Sequence, residues 1–157
     1  MNDAEVLQRI ADLGLELPPP PRPVASYVAV RIAGGTAYVA GQVAIVDGEV
    51  SSPGLLGREV TVAEGQAAAR RAALQSLSAL RDALGSFERL RGILQVTVYV
   101  ASVPEFGEHP VVANGASDLL VEVLGETGKH ARAAVGMASL PLGASVEVTV
   151  TAEVAPA

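Results

Sequence analysis

Between Thr61 and Gly85 the apolar residues recur every three or four positions, whereas on both sides of that stretch they alternate every second position. A change of period from two to 3.6 and back confines the chain to folds in which strands form a sheet and a long helix lies on it. The helix is the most sharply marked element. Thr61 and Glu64 make a T-x-x-E capping box at its start, Leu74, Leu77, Leu80 and Leu84 form an apolar stripe, and Gly85 stands where a helix stops. Arg70, Arg71 and Arg81 occupy polar positions elsewhere on the same helix.

The flanking strands are read from the same alternation. From Ser26, SYVAVRI sets Val28, Val30 and Ile32 against Tyr27, Ala29 and Arg31; Gly34-Gly35 supplies a tight turn, and TAYVAG continues as a second strand. Asp47-Gly48 marks a weaker turn, with a short strand near Glu49 and Val50. ILQVTVYV places Leu94, Val96, Val98 and Val100 on one side, and SVEVTVTAEV closes the chain with Val146, Val148, Val150 and Ala152 against Glu147, Thr149, Thr151 and Glu153. A second helix is predicted from about Pro110 to Leu124, before Gly125, followed by a turn at Gly128-Lys129 and an extended ARAAVGM. An N-terminal helix over Asp3 to Leu13, with Asp3 as its cap and Gly14 as its stop, precedes an extended connector at Pro18 to Pro21 and Pro23.

This order predicts an α+β domain with two main helices on one face of a single sheet. Residues 1–23 are read as helix and connector, and residues 24–157 as the folded domain. The other face carries Tyr27, Arg31, Tyr38, Gln95, Tyr99 and Arg132 among others, a mixture that suits a subunit interface with polar pockets.

Composition narrows the function. The 157 residues include 11 basic and 17 acidic, a net charge of −6, with no Lys/Arg cluster, which argues against nucleic-acid capture. There is no Cys, so thiolate chemistry, disulfides and zinc-thiolate sites are excluded, and His109 and His130 are too few for a metal cluster. Acids stand in the first residues where a signal peptide has bases, and no run of about 18 apolar residues occurs, so a cytoplasmic protein without a membrane span is expected.

Three stretches in order resemble the YjgF/Rid (reactive-intermediate deaminase, also endoribonuclease L-PSP-like) family. They are Ser26-Tyr27-Val28, then Ala40-Gly41-Gln42, then Ala131-Arg132-Ala133-Ala134-Val135 through Leu140-Pro141 to Val146-Glu147-Val148. The resemblance implies a chorismate-mutase-like protomer with a mixed sheet, three of which assemble as a barrel-like homotrimer with clefts between subunits. It implies a small carboxylate or imine ligand, and hydrolysis of enamines and imines from amino-acid breakdown to 2-keto acids and ammonia, with no cofactor and no metal. Arg132 is then the carboxylate anchor, with Tyr27, Gly41, Gln42 and Asn114 around the ligand and Glu147 and Tyr27 serving the chemistry.

Each assignment has a plain structural counterpart. Arg132 could be a strand arginine in a salt bridge, Tyr27 a packing residue, Gly41 and Gln42 a strand ending, Asn114 a helix cap, and Glu147 an interface carboxylate. Thr149 departs from the family, whose deaminating members carry a Glu there. His109 or His130 could move a proton in its place, or be solvent-exposed loop residues. A non-catalytic carboxylate-binding or regulatory protein is therefore the alternative to an imine deaminase, with ribonuclease the least supported by charge.

Overall fold

The computed structural model describes residues 1–23 and 25–156. Helix α1 (Asp3–Asp12) leads through the proline connector to β1 (Val30–Ala33) and β2 (Thr36–Val43), then to the short pair β3 (Ile45–Val46) and β4 (Glu49–Val50). Helix α2 (Val62–Leu84), β5 (Leu90–Ala101), α3 (His109–Leu124), β6 (Ala131–Met137) and β7 (Val146–Val154) complete the chain. The boundary residue Val24 and the terminal Ala157 of the expected domain limits lie outside the described residues.

Five strands form one mixed sheet in the order β1-β2-β7-β5-β6. β5 and β6 are parallel and the other neighbouring pairs antiparallel. Parallel strands need a crossover, and α3 supplies it. The alternating valines behave as their period demands: Val96, Val98 and Val100 of β5 and Val146, Val148 and Val150 of β7 are buried in one cluster with the leucines and alanines of α2 and α3. With so few aromatic side chains, close approach of backbones replaces bulk. Ala69, Ala72 and Ala73 of α2 are fully buried, and α3 contributes Ala113 and Ala116.

The local signals of α2 are realised. Thr61 Oγ1 accepts from the Glu64 N–H at 3.2 Å while Glu64 accepts from the Thr61 N–H at 2.8 Å. Gly85 ends the helix in the left-handed region at φ +80°. Positive φ at both residues of Gly34-Gly35 and of Asp47-Gly48 gives two tight hairpin turns whose twist matches their strands.

Three expectations are corrected. Asn2, not Asp3, caps α1, accepting from the Ala4 N–H at 2.9 Å. The first strand starts at Val30, so Tyr27 and Val28 precede it. Leu94 is turned away from Val96 and is 45% exposed, because the register against β7 shifts between Ile93 and Gln95. One unpaired residue there reverses the alternation, as a bulge does.

Asp3 instead ties α1 to the body of the protein. Its carboxylate accepts from Arg81 Nη2 at 2.9 Å, Arg81 Nε at 3.1 Å and the Phe87 N–H at 2.8 Å. The Arg81 guanidinium holds the Asp3 carboxyl below its ordinary range, with the Phe87 amide adding to it against a smaller effect of burial. A carboxyl lowered on folding contributes stability above its unfolded value of about 3.9, and that stability is lost as pH falls through the folded value. Asp3→Ala is expected to cost about 2 kcal/mol at pH 7, since charge-assisted bonds are lost. The gap between the thermal midpoints of wild type and variant should close as pH is taken from 7 to below 3, and a gap that persists would show that the ion pair is not its source.

Candidate functional site

The expected site residues fall into two groups. Tyr27 precedes β1 at one edge of the sheet, and Arg132 lies on β6 at the other, so four strand spacings of roughly 4.8 Å, about 19 Å, separate the two strands concerned.

The first group is built on an irregularity of β2. Val39 pairs with Val150 and Gln42 with Val148, which leaves Ala40 and Gly41 together opposite Thr149. This bulge turns Gln42 into the helix-facing layer, where it is buried and its Nε2 donates to the Ala40 carbonyl at 3.0 Å. Gly41 leaves room for the Glu147 side chain: a Cβ there would come within 2.9 Å of Glu147 Cδ and would make that carboxylate shift. Glu147 is half-buried on β7 between Val43 and Tyr99, and burial raises its carboxyl above the ordinary glutamate range. Thr149 therefore sits directly across from the bulge, one pleat along from the carboxylate that remains.

A cleft of about 570 Å³ opens beside this corner, between the proline connector and β2, lined by Tyr27, Gly41, Gln42, Pro19, Arg71 and Gln75 among others. Arg71 and Gln75 belong to it by their hydrogen bonds. Gln75 Oε1 accepts from the Ile45 N–H at 2.8 Å and its Nε2 donates to the Val43 carbonyl at 2.8 Å, while Arg71 Nε donates to the Ile45 carbonyl at 2.8 Å. Sequence reading left these two residues out; the available signal was a polar pair one helical turn apart on a helix otherwise lined with alanine and leucine.

The second group surrounds Arg132. Arg132 pairs with the buried Val96 and so faces the helix layer, not the open face expected for it; its side chain lies against α3, where Nη1 donates to Asn114 Oδ1 at 2.8 Å and to Ser117 Oγ at 3.1 Å, and Nη2 donates to the Pro110 carbonyl at 3.3 Å. Residues 110, 114 and 117 are one stripe of α3, spaced so that all three face β6. Every one of these partners is neutral. Of five guanidinium N–H groups, the Nε–H and one on Nη2 are left over at an exposed position. The salt-bridged strand arginine considered from sequence is not what is found.

Both histidines are half-buried and hydrogen-bonded, contrary to the exposed-loop reading. His109 opens α3, with Nε2 3.1 Å from Ser102 Oγ and its ring edge-on to Phe106 at 5.1 Å. His130 lies 3.0 Å from Ser117 Oγ through Nε2. Among the described residues no group of three His, Asp or Glu side chains is placed to hold a metal ion, and no helix is long and apolar enough to cross a membrane.

Comparison with known proteins agrees with this architecture. Residues 7–154 match the family described as "YjgF/chorismate mutase-like, putative endoribonuclease". Protein TCP17 of Trypanosoma cruzi is 44% identical over 149 residues, covering 94% of this chain and 93% of that protein. A crystal structure from Agrobacterium tumefaciens is 44% identical with a TM-score of 0.92, covering 98% of this chain and 94% of that one. A second, from Shewanella oneidensis, is 33% identical with a TM-score of 0.91, covering 95% of this chain and 99% of that one. The fold alone is shared with Escherichia coli TdcF, solved with bound serine, at 19% identity and a TM-score of 0.61, covering 87% of this chain and 94% of that one. The ordered motifs, the mixed five-stranded sheet and these matches establish that the chain belongs to the YjgF/chorismate mutase-like family.

Proposed function

We propose that this protein binds a small carboxylate at Arg132 in a site completed by a second copy of the chain, and that it hydrolyses imines of 2-amino acids there. The observation that carries the reading is the Arg132 guanidinium, held by neutral acceptors, with no acid among the described residues paired to its charge and with two N–H groups that bond to none of them. A planar cation held in this way is matched to a carboxylate, which accepts two parallel hydrogen bonds. The serine bound by TdcF is a ligand of that class.

The distance between the two residue groups supports completion of the site by another protomer. Tyr27 and Gly41 lie three to four strand spacings from Arg132, and Glu147, two strands away, is on the opposite face of the sheet, so a ligand a few atoms long would not touch both groups in one chain. A homotrimer in which the β6 edge, with Arg132 and Asn114 at its α3 side, met the Tyr27 side of a neighbour would complete the site.

In the reaction water adds to the imine carbon, the C–N bond breaks, and a 2-keto acid and ammonia leave. Arg132 holds the carboxylate, Tyr27 donates a hydrogen bond, and Glu147, with its carboxyl raised by burial, takes and returns the proton. Thr149 cannot act as a base, so turnover depends on Glu147.

The test is thermal denaturation with pyruvate, 2-oxobutanoate and L-serine, beside release of keto acid from imines made in situ by an amino-acid oxidase. A ligand at a hundred times its Kd adds about 2.7 kcal/mol to wild type, and Arg132→Ala should abolish that gain. Should none of these carboxylates raise the wild-type midpoint, the proposal is wrong. Carboxylate binding without acceleration of keto-acid release would leave a binding protein in place of the enzyme. Light scattering checks the trimer independently.

A further inference from the structure

The grip on Arg132 continues beyond α3. Ser117 Oγ, which is 3.1 Å from Arg132 Nη1, is also 3.0 Å from His130 Nε2, and Nδ1 of that ring is 2.6 Å from the carbonyl oxygen of Gly128. A carbonyl only accepts, so Nδ1 carries a proton. In the neutral ring Nε2 is then the bare nitrogen, and the hydrogen between it and Ser117 comes from the hydroxyl. That hydroxyl has a single hydrogen. With it committed to His130, Ser117 can offer Arg132 only lone pairs, so every hydrogen along Arg132, Ser117, His130 and Gly128 points one way.

We infer that Ser117 and His130 are positioning residues for Arg132: the imidazole aims the Ser117 hydroxyl so that its oxygen must accept from Nη1, which leaves the Nε–H and one Nη2–H as the donors a carboxylate meets. The inference rests on the reading of Arg132 as the ligand's anchor and assigns residues that this reading does not use. It follows from the line of bonds that His130 acts on the ligand only through Ser117. Without the imidazole the hydroxyl rotates freely, and in some orientations it turns its hydrogen toward the guanidinium. Nη1 then keeps Asn114 alone as a constant partner.

The line also limits what can bind. Ser117 has no hydrogen left for a ligand, and Asn114 Oδ1 and the Pro110 carbonyl are already occupied by the guanidinium. The ligand therefore meets donors that carry full positive charge, while the oxygens of this group are turned to the guanidinium. An acceptor-only anionic group fits, and the corresponding amide, which brings its own donors, does not.

The experiment is titration of the full-length protein with 2-oxobutanoate, followed by calorimetry, for single and double variants. Ser117→Ala should raise Kd about tenfold or more, as loss of one hydrogen bond to a charged group implies. Ser117→Thr, which keeps the hydroxyl, should stay within about twofold of wild type. His130→Ala should raise Kd by a smaller factor and His130→Gln, whose Oε1 can accept in place of Nε2, should restore it. The double variant Ser117→Ala/His130→Ala should bind no more weakly than Ser117→Ala alone, because the two act in series. In the keto-acid assay KM should rise with kcat unchanged. Nitrogen-15 imidazole shifts provide a measurement on the unmodified protein and should show the Nδ1–H tautomer of His130. Additive losses in the double variant, or an Nε2–H tautomer in wild type, would overturn the inference. If Arg132→Ala abolishes binding while Ser117→Ala binds as wild type does, the positioning role is wrong and the anchor stands. If Arg132→Ala binds normally, the anchor itself is wrong and the positioning role goes with it.

Discussion

Gly115→Ala should lower the thermal midpoint by about 6–12 °C, the shift that a loss of about 3 kcal/mol produces in a chain of this size. The sign is informative, because alanine is the better helix former by about 1 kcal/mol and propensity alone would stabilise α3. Packing opposes that gain. A Cβ at Gly115 would be 2.8 Å from the Gln66 carbonyl carbon and 3.0 Å from its Cα, both backbone atoms of α2. Backbone cannot rotate aside as a side-chain end can, so the two helices would have to separate. Gln66 Nε2 donates to the Val111 carbonyl at 2.9 Å, and separation strains that link as well. Midpoints must be compared at one protomer concentration, since assembly would shift them by mass action. Gly107→Ala is the control: nothing lies within 4 Å of a Cβ there, and its midpoint should move by no more than about 0.5 kcal/mol would cause. A Gly115→Ala protein at or above the wild-type midpoint would mean that the helices are not in backbone contact.

The second large effect is expected at Gln75, which is buried and uses both ends of its amide on the corner between β2 and β3. Gln75→Leu keeps the bulk of the side chain and leaves the Ile45 N–H and the Val43 carbonyl without their partner. A buried group deprived of its bond costs about 1–3 kcal/mol, so the pair should cost about 3 kcal/mol together. Local measurement separates this from general loosening. Hydrogen exchange at the Ile45 amide should accelerate far more than exchange in the middle of α2, because the helix keeps its own bonds. Gln75→Glu retains an acceptor for Ile45 but sets an oxygen against the Val43 carbonyl, and it should lose nearly as much as leucine does. Uniform acceleration across the whole chain would show that Gln75 serves the core and not the corner.

What was legible in the sequence was what short-range chemistry dictates. Thr61 and Glu64 satisfy each other's backbone groups three residues apart, and Gly34-Gly35 and Asp47-Gly48 need no distant partner to favour a reversal. The valines of β5 and β7 announce their period. The errors came where a distant strand decides. Leu94 follows the alternation in sequence and breaks it in space, because β7 offers no partner at that point. Asp3 has the chemistry of a cap and is drawn to Arg81, 78 residues away.

The candidate site divides along the same line. Arg132 and Asn114 were named from ordered motifs, and the structure brings them within 2.8 Å of one another. Tyr27, Gly41 and Gln42 were named with them and lie across the sheet, since motif order carries no information about which edge each motif occupies. Ser117 and Gln75 went unnoticed, and His130 and Arg71 were named for other parts. Their roles come from bonds to backbone carbonyls or to one another that only the pairing of α3 with β6, and of α2 with β2, creates.

The two residues of β2 that share one opposite number on β7 set a rule of count more than of kind. Many side chains can stand at position 40, and it is the extra residue between Val39 and Gln42 that lets both of them face the interior. Were the same residues paired one to one, Gln42 would swing out of the interior, Val43 would swing in, and the strand would meet Gln75 with the wrong face. Among proteins that keep this corner, substitutions can accumulate while the two-against-one pairing is kept, so that pairing should be a steadier mark of common architecture than the letters that fill it.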